Sequence, residues 1–295
     1  MMKKYIVMMG LTGLVASCNQ SEDTSWNENI IRVEAEMANS RANRTSFEAG
    51  DCFGLFAVEY NGDEVVPLQL GGNYINNEKM EYSGHEWTSE TGRTLYWSNV
   101  ACDFYGIYPY QKITSIDKQL IEIATDQSIS ETPDALSGYE ASDLMWAKAK
   151  KISQSNNPVI LEFRHLMSRL VVKIVKGPEY DGDLPNDIVT NVYNTATTAQ
   201  VNWQKGLLEK YGMSETKTIK MRKVDANTFD AIIVPQFIQR STPLVEITMG
   251  GIAYLLEYSI SFRPGYEHTI TVTVNKSPNQ EKIEINIDGE VNPYN

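Results

Sequence analysis

The sequence predicts an all-β protein with two domains in tandem. Three observations carry this. Apolar residues recur at every second position in many short runs, and a 3.6-residue period is sustained nowhere. Turn signals separate the runs, among them Asn61-Gly62-Asp63, Gly71-Gly72-Asn73, Asp181-Gly182-Asp183, Gly250-Gly251 and Pro264-Gly265. The chain has 295 residues, which at about 150 per domain makes two. Many short strands with turns between them build sandwiches or barrels.

The first stretch is not part of that fold. Lys3 and Lys4 precede the short apolar run Tyr5 to Ser17, which ends Val15-Ala16-Ser17-Cys18. A charged start, an apolar middle and small residues before a cut point are the layout of an export signal. The run is too short for a membrane-spanning helix, which needs about 20 residues. The cysteine after the small residues resembles the lipid-bearing cysteine of bacterial lipoproteins. Residues 1–17 are therefore expected to be removed, with Cys18 lipidated and the rest of the chain exported and held at a membrane. Residues 18–30 are polar and acidic and read as a tether.

The first domain is expected over 31–162. Ile31, Val33, Ala35 and Met37 alternate with Arg32, Glu34 and Glu36, the pattern of a half-buried strand. A polar loop follows, Asn39 to Arg44, carrying Arg41 and Arg44. Cys52 to Tyr60 is an apolar strand, and Met80 to Tyr82, Glu86 to Thr88 and Thr94 to Trp97 are shorter ones. In Ala101 to Tyr110 alternation puts Phe104 and Gly106 on one face, Tyr105 and Ile107 on the other. Leu120 to Ala124 alternates again. Asp143 to Lys151 fits period two through Leu144, Trp146 and Lys148 and is read as a strand. Val159 to Phe163 is a strand, and Arg164 to Ser168 is read as one helical turn.

The second domain is expected over 163–295, opening with Leu170 to Val175. Strands follow at 188–193, 199–203, 216–222, 228–234, 244–249, 252–260, 268–275 and 283–287. In the last, Ile283, Ile285 and Ile287 alternate with Glu284, Asn286 and Asp288.

Composition narrows the function. With 26 basic and 38 acidic residues the net charge is −12, so the surface repels nucleic acid and anionic headgroups. His85, His165 and His268 form no HExxH pair, and no Cys-x-x-Cys, Gly-x-Ser-x-Gly elbow or phosphate loop occurs. No enzyme, metal site or cofactor is predicted. Asp181, Asp183 and Asp187 lack the full calcium-loop pattern and read as an acidic turn. Tyr96, Trp97, Phe104, Tyr105, Tyr108 and Tyr110 are core candidates first and a sugar platform second. Cys52 and Cys102 are either a disulfide, which export permits, or two buried thiols.

Several stretches, in order along the chain, resemble one family. They are the signal at Cys18, Ser46-Phe47-Glu48-Ala49-Gly50-Asp51 running into Phe53-Gly54-Leu55-Phe56, and Asp103-Phe104-Tyr105-Gly106-Ile107-Tyr108-Pro109-Tyr110. They continue with Phe163-Arg164-His165, Ile232-Ile233-Val234-Pro235-Gln236 and Phe262-Arg263-Pro264-Gly265. The set resembles the fimbrillins of the Bacteroidales, subunits and accessory lipoproteins of fimbriae. The resemblance implies two tandem transthyretin-like β-sandwiches, export as a lipoprotein to the outer membrane, and assembly with other fimbrial subunits by strand exchange. It implies a trypsin-like protease that cuts after Arg41 or Arg44. The strand with Ile31, Val33, Ala35 and Met37 would then leave, and a strand like that of Ile283, Ile285 and Ile287 would fill its groove. A host or bacterial surface ligand is a further implied partner. The rival expectation is a monomeric surface lipoprotein that binds carbohydrate or a host ligand, with Trp87, Trp97 or Trp203 on the outside.

Overall fold

The computed structural model describes residues 29–38, 46–132, 135–275 and 285–293. Among these, all regular structure is β apart from one 3-10 turn at Glu140–Ser142. The first half contributes β1 (Val33–Met37), β2 (Cys52–Asn61), β3 (Glu64–Val65), β4 (Ile75–Tyr82), β5 (Trp87–Ser89), β6 (Cys102–Tyr108), β7 (Gln119–Glu122), β8 (Met145–Ile152) and β9 (Val159–His165). The second contributes β10 (Ser168–Lys176), β11 (Val189–Ala196), β12 (Thr198–Asn202), β13 (Leu207–Lys210), β14 (Thr216–Lys220), β15 (Arg222–Lys223) and β16 (Thr228–Ile233). It ends with β17 (Phe237–Ile238), β18 (Pro243–Met249), β19 (Ile252–Glu257), β20 (Ile260–Ser261), β21 (Tyr266–Val274) and β22 (Ile285–Pro293).

The first sheet runs β1-β9-β8-β6-β2-β4-β5, with β3 attached to β2. Two sheets of the second half run β15-β16-β10-β21-β22 and β14-β11-β18-β19. The strand expected over Asp143 to Lys151 is present as β8. The helical turn expected at Arg164 to Ser168 is not: Arg164 and His165 complete β9, and Ser168 opens β10. Alternating burial, inward for Val159, Leu161, Phe163 and His165, continues through this stretch and overrides its helix-like composition. Thr94 to Trp97 shrinks from a strand to a single bridge, Tyr96 with Ile30.

β2 and β6 are buried on both faces. Phe53, Leu55, Ala57, Phe104 and Tyr108 face one core together with Val33, Trp87 and Phe163. Phe56, Val58, Tyr105 and Ile107 face a second core shared with Leu170, Val172, Trp203, Ile232 and other residues of the second half. Alternation across a pleat thus builds two cores from one sheet. Gly106 is required by close approach: a Cβ there would lie 2.4 Å from Cζ of Phe163.

The two halves are joined by more than packing. Position 163, the expected boundary, falls inside β9. β7, from the first half, pairs antiparallel with β12 from the second. The chain then continues along the second half: the Ile123 N–H donates to the Thr197 carbonyl (2.9 Å), and the Lys220 N–H to the Thr125 carbonyl (2.8 Å). Gln127, fully buried, acts as a piece of strand through its side chain. Its amide donates to the Ile232 carbonyl at 2.9 Å, and its Oε1 accepts the Ile232 N–H at 2.7 Å. Nearby, the buried Asp230 carboxylate is held by Arg169 at 2.7 Å and Arg222 at 2.8 Å, with Glu267 closing on Arg169 at 3.0 Å. The ring of Tyr139, again from the first half, lies 3.6 Å from the Arg222 guanidinium.

Candidate functional site: the first strand and its groove

Among the described residues, β1 is an edge strand paired on one side only. It runs parallel to β9, with Val33 opposite Val159, Ala35 opposite Leu161 and Met37 opposite Phe163. The ladder is extended by the Val159 N–H donating to the Arg32 carbonyl and the Ala38 N–H donating to the Phe163 carbonyl, both at 2.8 Å. The strand is shorter than the expected 31–37, because Ile31 and Arg32 lie outside the regular ladder. The inward row is nevertheless the expected one. Ile31 and Val33 are buried, and Ala35 and Met37 are half-buried against the same core. Glu34 and Glu36 face solvent beside Ile160 and Glu162.

The inward row meets a cage of aromatic rings. Phe47 stacks edge-on to Trp87, Tyr108 and Phe163 at centroid distances of 5.1, 5.5 and 5.5 Å. Burying a Val- or Ile-sized side chain is worth roughly 1.5–3 kcal/mol, so Ile31 and Val33 supply much of what holds β1. Before the strand, the sheet nearly closes on itself. The Ile31 N–H donates to the Leu95 carbonyl and the Trp97 N–H to the Asn29 carbonyl, both at 2.8 Å. Past Arg32 the edges diverge, leaving a groove of about 530 Å³ lined by β1, Phe47, Tyr82, His85 and Trp87. An unpaired strand edge beside such a groove is a template for another chain.

β22 lies at the edge of a different sheet, antiparallel to β21 from Val274 opposite Ile285 to Tyr266 opposite Pro293. Its residues Asp288 to Pro293 are exposed on both faces, with Val291 at 47%. Ile285 and Ile287 are in this strand, and within one chain it does not pair with β1. Cys18, Arg41, Arg44 and Ile283 lie outside the described residues.

The disulfide expected as one option for Cys52 and Cys102 is corrected: both are free thiols. Cys52 opens β2, whereas Cys102 sits opposite Glu59 near its other end. At about 3.3 Å per residue the two are roughly 20 Å apart along an antiparallel pair, far beyond disulfide reach. Burial, with Glu59 beside it, pushes the Cys102 thiol up to about 11.

The aromatic residues also sort themselves. Trp87, Trp97, Trp203, Phe104, Tyr105 and Tyr108 are buried, leaving Tyr96 and Tyr110 exposed. His165 is buried and bonds Asp143 through Nδ1 at 2.8 Å. Asp183 pairs with Lys176 at 3.2 Å, while Asp187 accepts the Gly250 N–H at 3.2 Å, so these acids serve separate partners. Sequence reading missed Leu95, Trp97 and Phe47 as walls of the β1 site. Leu95 and Trp97 lie in a stretch expected as a strand and Phe47 in a family landmark, but neither signal says that they meet the first strand, since that contact is between segments far apart in sequence.

The fold recurs in solved structures. A candidate cell adhesion protein from Bacteroides uniformis superposes with a TM-score of 0.66 at 21% identity, covering 91% of this chain and 99% of its own. A second, from Bacteroides ovatus, gives 0.69 at 16% identity over 90% and 97%. A fimbrial protein from Bacteroides vulgatus gives 0.54 at 12% identity over 90% and 100%. No curated protein matches the chain in sequence. At such identities these likenesses concern the fold. The sequence profile of the fimbrillin-like family matches residues 40–293, from just after β1 to the end of β22, and the chain therefore belongs to the fimbrillin-like family.

Proposed function

We propose that this chain is a non-enzymatic subunit of a cell-surface fimbria, with a role in assembly or adhesion. In this reading it is exported as a lipoprotein, lipidated at Cys18 and anchored in the outer membrane. A trypsin-like protease then cuts after Arg41 or Arg44, β1 leaves, and a strand from another subunit enters its place. The two domains of the reading, 31–162 and 163–295, divide the labour: the first accepts a strand and the second supplies one.

The observation that carries this is the setting of β1. It is an edge strand, bonded along one side, with an open groove along the other and buried aromatic side chains beneath it. The arginine-bearing segment follows it directly in sequence. Loss of β1 exposes apolar side chains and the N–H and C=O groups of β9, which an incoming strand satisfies by β-augmentation. While β1 stays covalently attached, its high effective concentration keeps other strands out. The rival reading, a sugar-binding surface of tryptophans, gains nothing from rings that are buried.

The test is limited trypsin treatment of the protein beginning after Cys18. An early cut after Arg41 or Arg44 is expected, followed by ladders of oligomers on a gel without boiling. The double variant Arg41→Ala, Arg44→Ala stays monomeric. Cleaved protein that remains monomeric at high concentration, alone and with other subunits, overturns the exchange mechanism.

A further inference from the structure

A second cleft opens on the first half, at the end of β2 away from Cys52. Its volume of about 450 Å³ falls within the roughly 300–1,000 Å³ of small-molecule sites. Glu59, Tyr60 and Asn61 line it from the end of β2, Tyr74 from the approach to β4, and Trp97 and Asn99 from the segment before β6. None of the described residues that line it lines the β1 groove.

The aromatic walls are fixed, while several polar groups are unused. Tyr74 is exposed, and its hydroxyl donates to the Tyr96 carbonyl at 2.9 Å, which holds the ring in place. The Tyr60 hydroxyl donates to the Asp103 carboxylate, also at 2.9 Å. The Glu59 carboxylate accepts from the Ser98 hydroxyl. By contrast, the side-chain amides of Asn61 and Asn99 bond no other described residue. Trp97 is 5% exposed, and its indole N–H has no hydrogen-bond partner among the described residues. Buried donors are rarely left so, and one in the wall of a cleft calls for an acceptor from outside the chain.

We infer that this cleft binds a neutral pyranose sugar. A pyranose has an apolar C–H face, which suits the Tyr74 ring, and a rim of hydroxyls that both donate and accept. The amides of Asn61 and Asn99 serve both roles, Glu59 accepts, and the Trp97 N–H donates to a hydroxyl that settles against its wall. Charge selects among sugars. Among the described residues that line the cleft, Glu59 alone is charged, so uronic and sialic acids are repelled. A quaternary ammonium, another guest of aromatic walls, is disfavoured because the Lys151 ammonium already lies 5.5 Å from the Tyr60 ring centroid. The stacking ring is an exposed tyrosine, so the burial of the tryptophan rings is no obstacle. Such a site gives a ligand class to the adhesion role proposed above, on which it rests, and works without strand exchange.

The test uses the uncut chain beginning after Cys18, so strand exchange does not enter the result. Methyl glycosides of glucose, galactose, mannose and N-acetylglucosamine are presented singly. Glucuronic acid, N-acetylneuraminic acid and choline serve for comparison. Saturation-transfer NMR should show at least one neutral glycoside receiving magnetisation at its ring C–H protons, and none of the comparison compounds doing so. For the best glycoside, Tyr74→Ala and Asn99→Ala should each weaken the Kd about tenfold or more. Tyr110→Ala removes an exposed ring outside the cleft and should match the parent. Tyr74 and Asn99 are both exposed, so these variants should melt with the parent; if one unfolds, the other decides. No transfer to any neutral glycoside overturns the assignment, as does parent-like affinity in the folded cleft variants. Preference for either acid or for choline overturns the neutral-sugar class. These results leave the exchange mechanism standing. Trypsin-cleaved protein that stays monomeric while the uncut chain binds the glycoside removes that mechanism and leaves this site.

Discussion

Gly106 ties the core of the first sheet to the strand proposed to leave it, and Gly106→Ala tests that link. The added Cβ would stand 2.4 Å from Phe163 Cζ and 3.0 Å from Cε1, where carbon atoms normally rest about 3.5–4.0 Å apart. The ring must therefore recede by roughly 1 Å or more. It has little room, because Phe47 and Phe53 stand edge-on to it at 5.5 and 5.3 Å. Overpacking of this kind costs about 1–3 kcal/mol, and the immobility of the cage argues for the upper end. At roughly 2–4 °C per kcal/mol for a chain of this order of size, the melting temperature should fall by about 5–10 °C. Urea unfolding gives the free energy directly. Phe163→Leu removes the obstructing ring, so the double variant should be less destabilised than the sum of the singles by about 1–2 kcal/mol. Because Phe163 is opposite Met37 and its carbonyl accepts the Ala38 N–H, the single variant should also speed hydrogen exchange at Ala38. A Gly106→Ala protein within about 0.5 kcal/mol of the parent, or strictly additive singles, would refute the reasoning.

Three further outcomes follow from the structure. Asp230→Ala leaves Arg169 buried without its main partner and should cost about 3–5 kcal/mol in urea unfolding; a loss below 1 kcal/mol would show the pair to be dispensable. His268 is buried and lowered from 6.5 to about 4, first by burial and then by Arg263, so it is neutral when folded. Its share of stability is complete above pH 6.5 and is lost as pH falls from 6.5 toward 4, by up to about 3 kcal/mol. His268→Gln, which keeps an acceptor for the Arg263 N–H, should flatten that part of the pH profile; an unchanged slope would exclude His268. Iodoacetamide should label the partly exposed Cys52 in the native protein and Cys102 only after unfolding, with no disulfide-linked peptide by mass spectrometry; a linked peptide would contradict the strand register.

Much of the architecture is legible in the chain because β structure writes itself in a period of two. Ile31, Val33, Ala35 and Met37 could be assigned to one face of a strand before any neighbour was known, and they do share one face. Phe104 and Tyr105 could be sent to opposite faces, and they are. The same local rule cannot say what each face meets. Tyr105 and Ile107 might have faced water; they meet the second half of the chain instead, and that choice depends on contacts distant in sequence. The disulfide question was open for the same reason. Two cysteines on apolar strands look alike until the antiparallel register puts them at opposite ends.

The sequence alone determined which residues pair a polar face with an apolar one, where turns break the chain, and the alternating rows of β1 and β22. These are properties of a few adjacent residues and follow from backbone geometry. Only the tertiary structure decided that β1 is an edge strand bonded on one side, that Phe47, Leu95 and Trp97 wall its site, and that Gln127 and Tyr139 of the first half are built into the second. The buried group of Arg169, Arg222, Asp230 and Glu267 belongs with these, since no spacing in the sequence marks four charges spread over about a hundred residues as neighbours. Such pairings are selected by the burial of both partners at once, and a linear pattern carries information about only one of them.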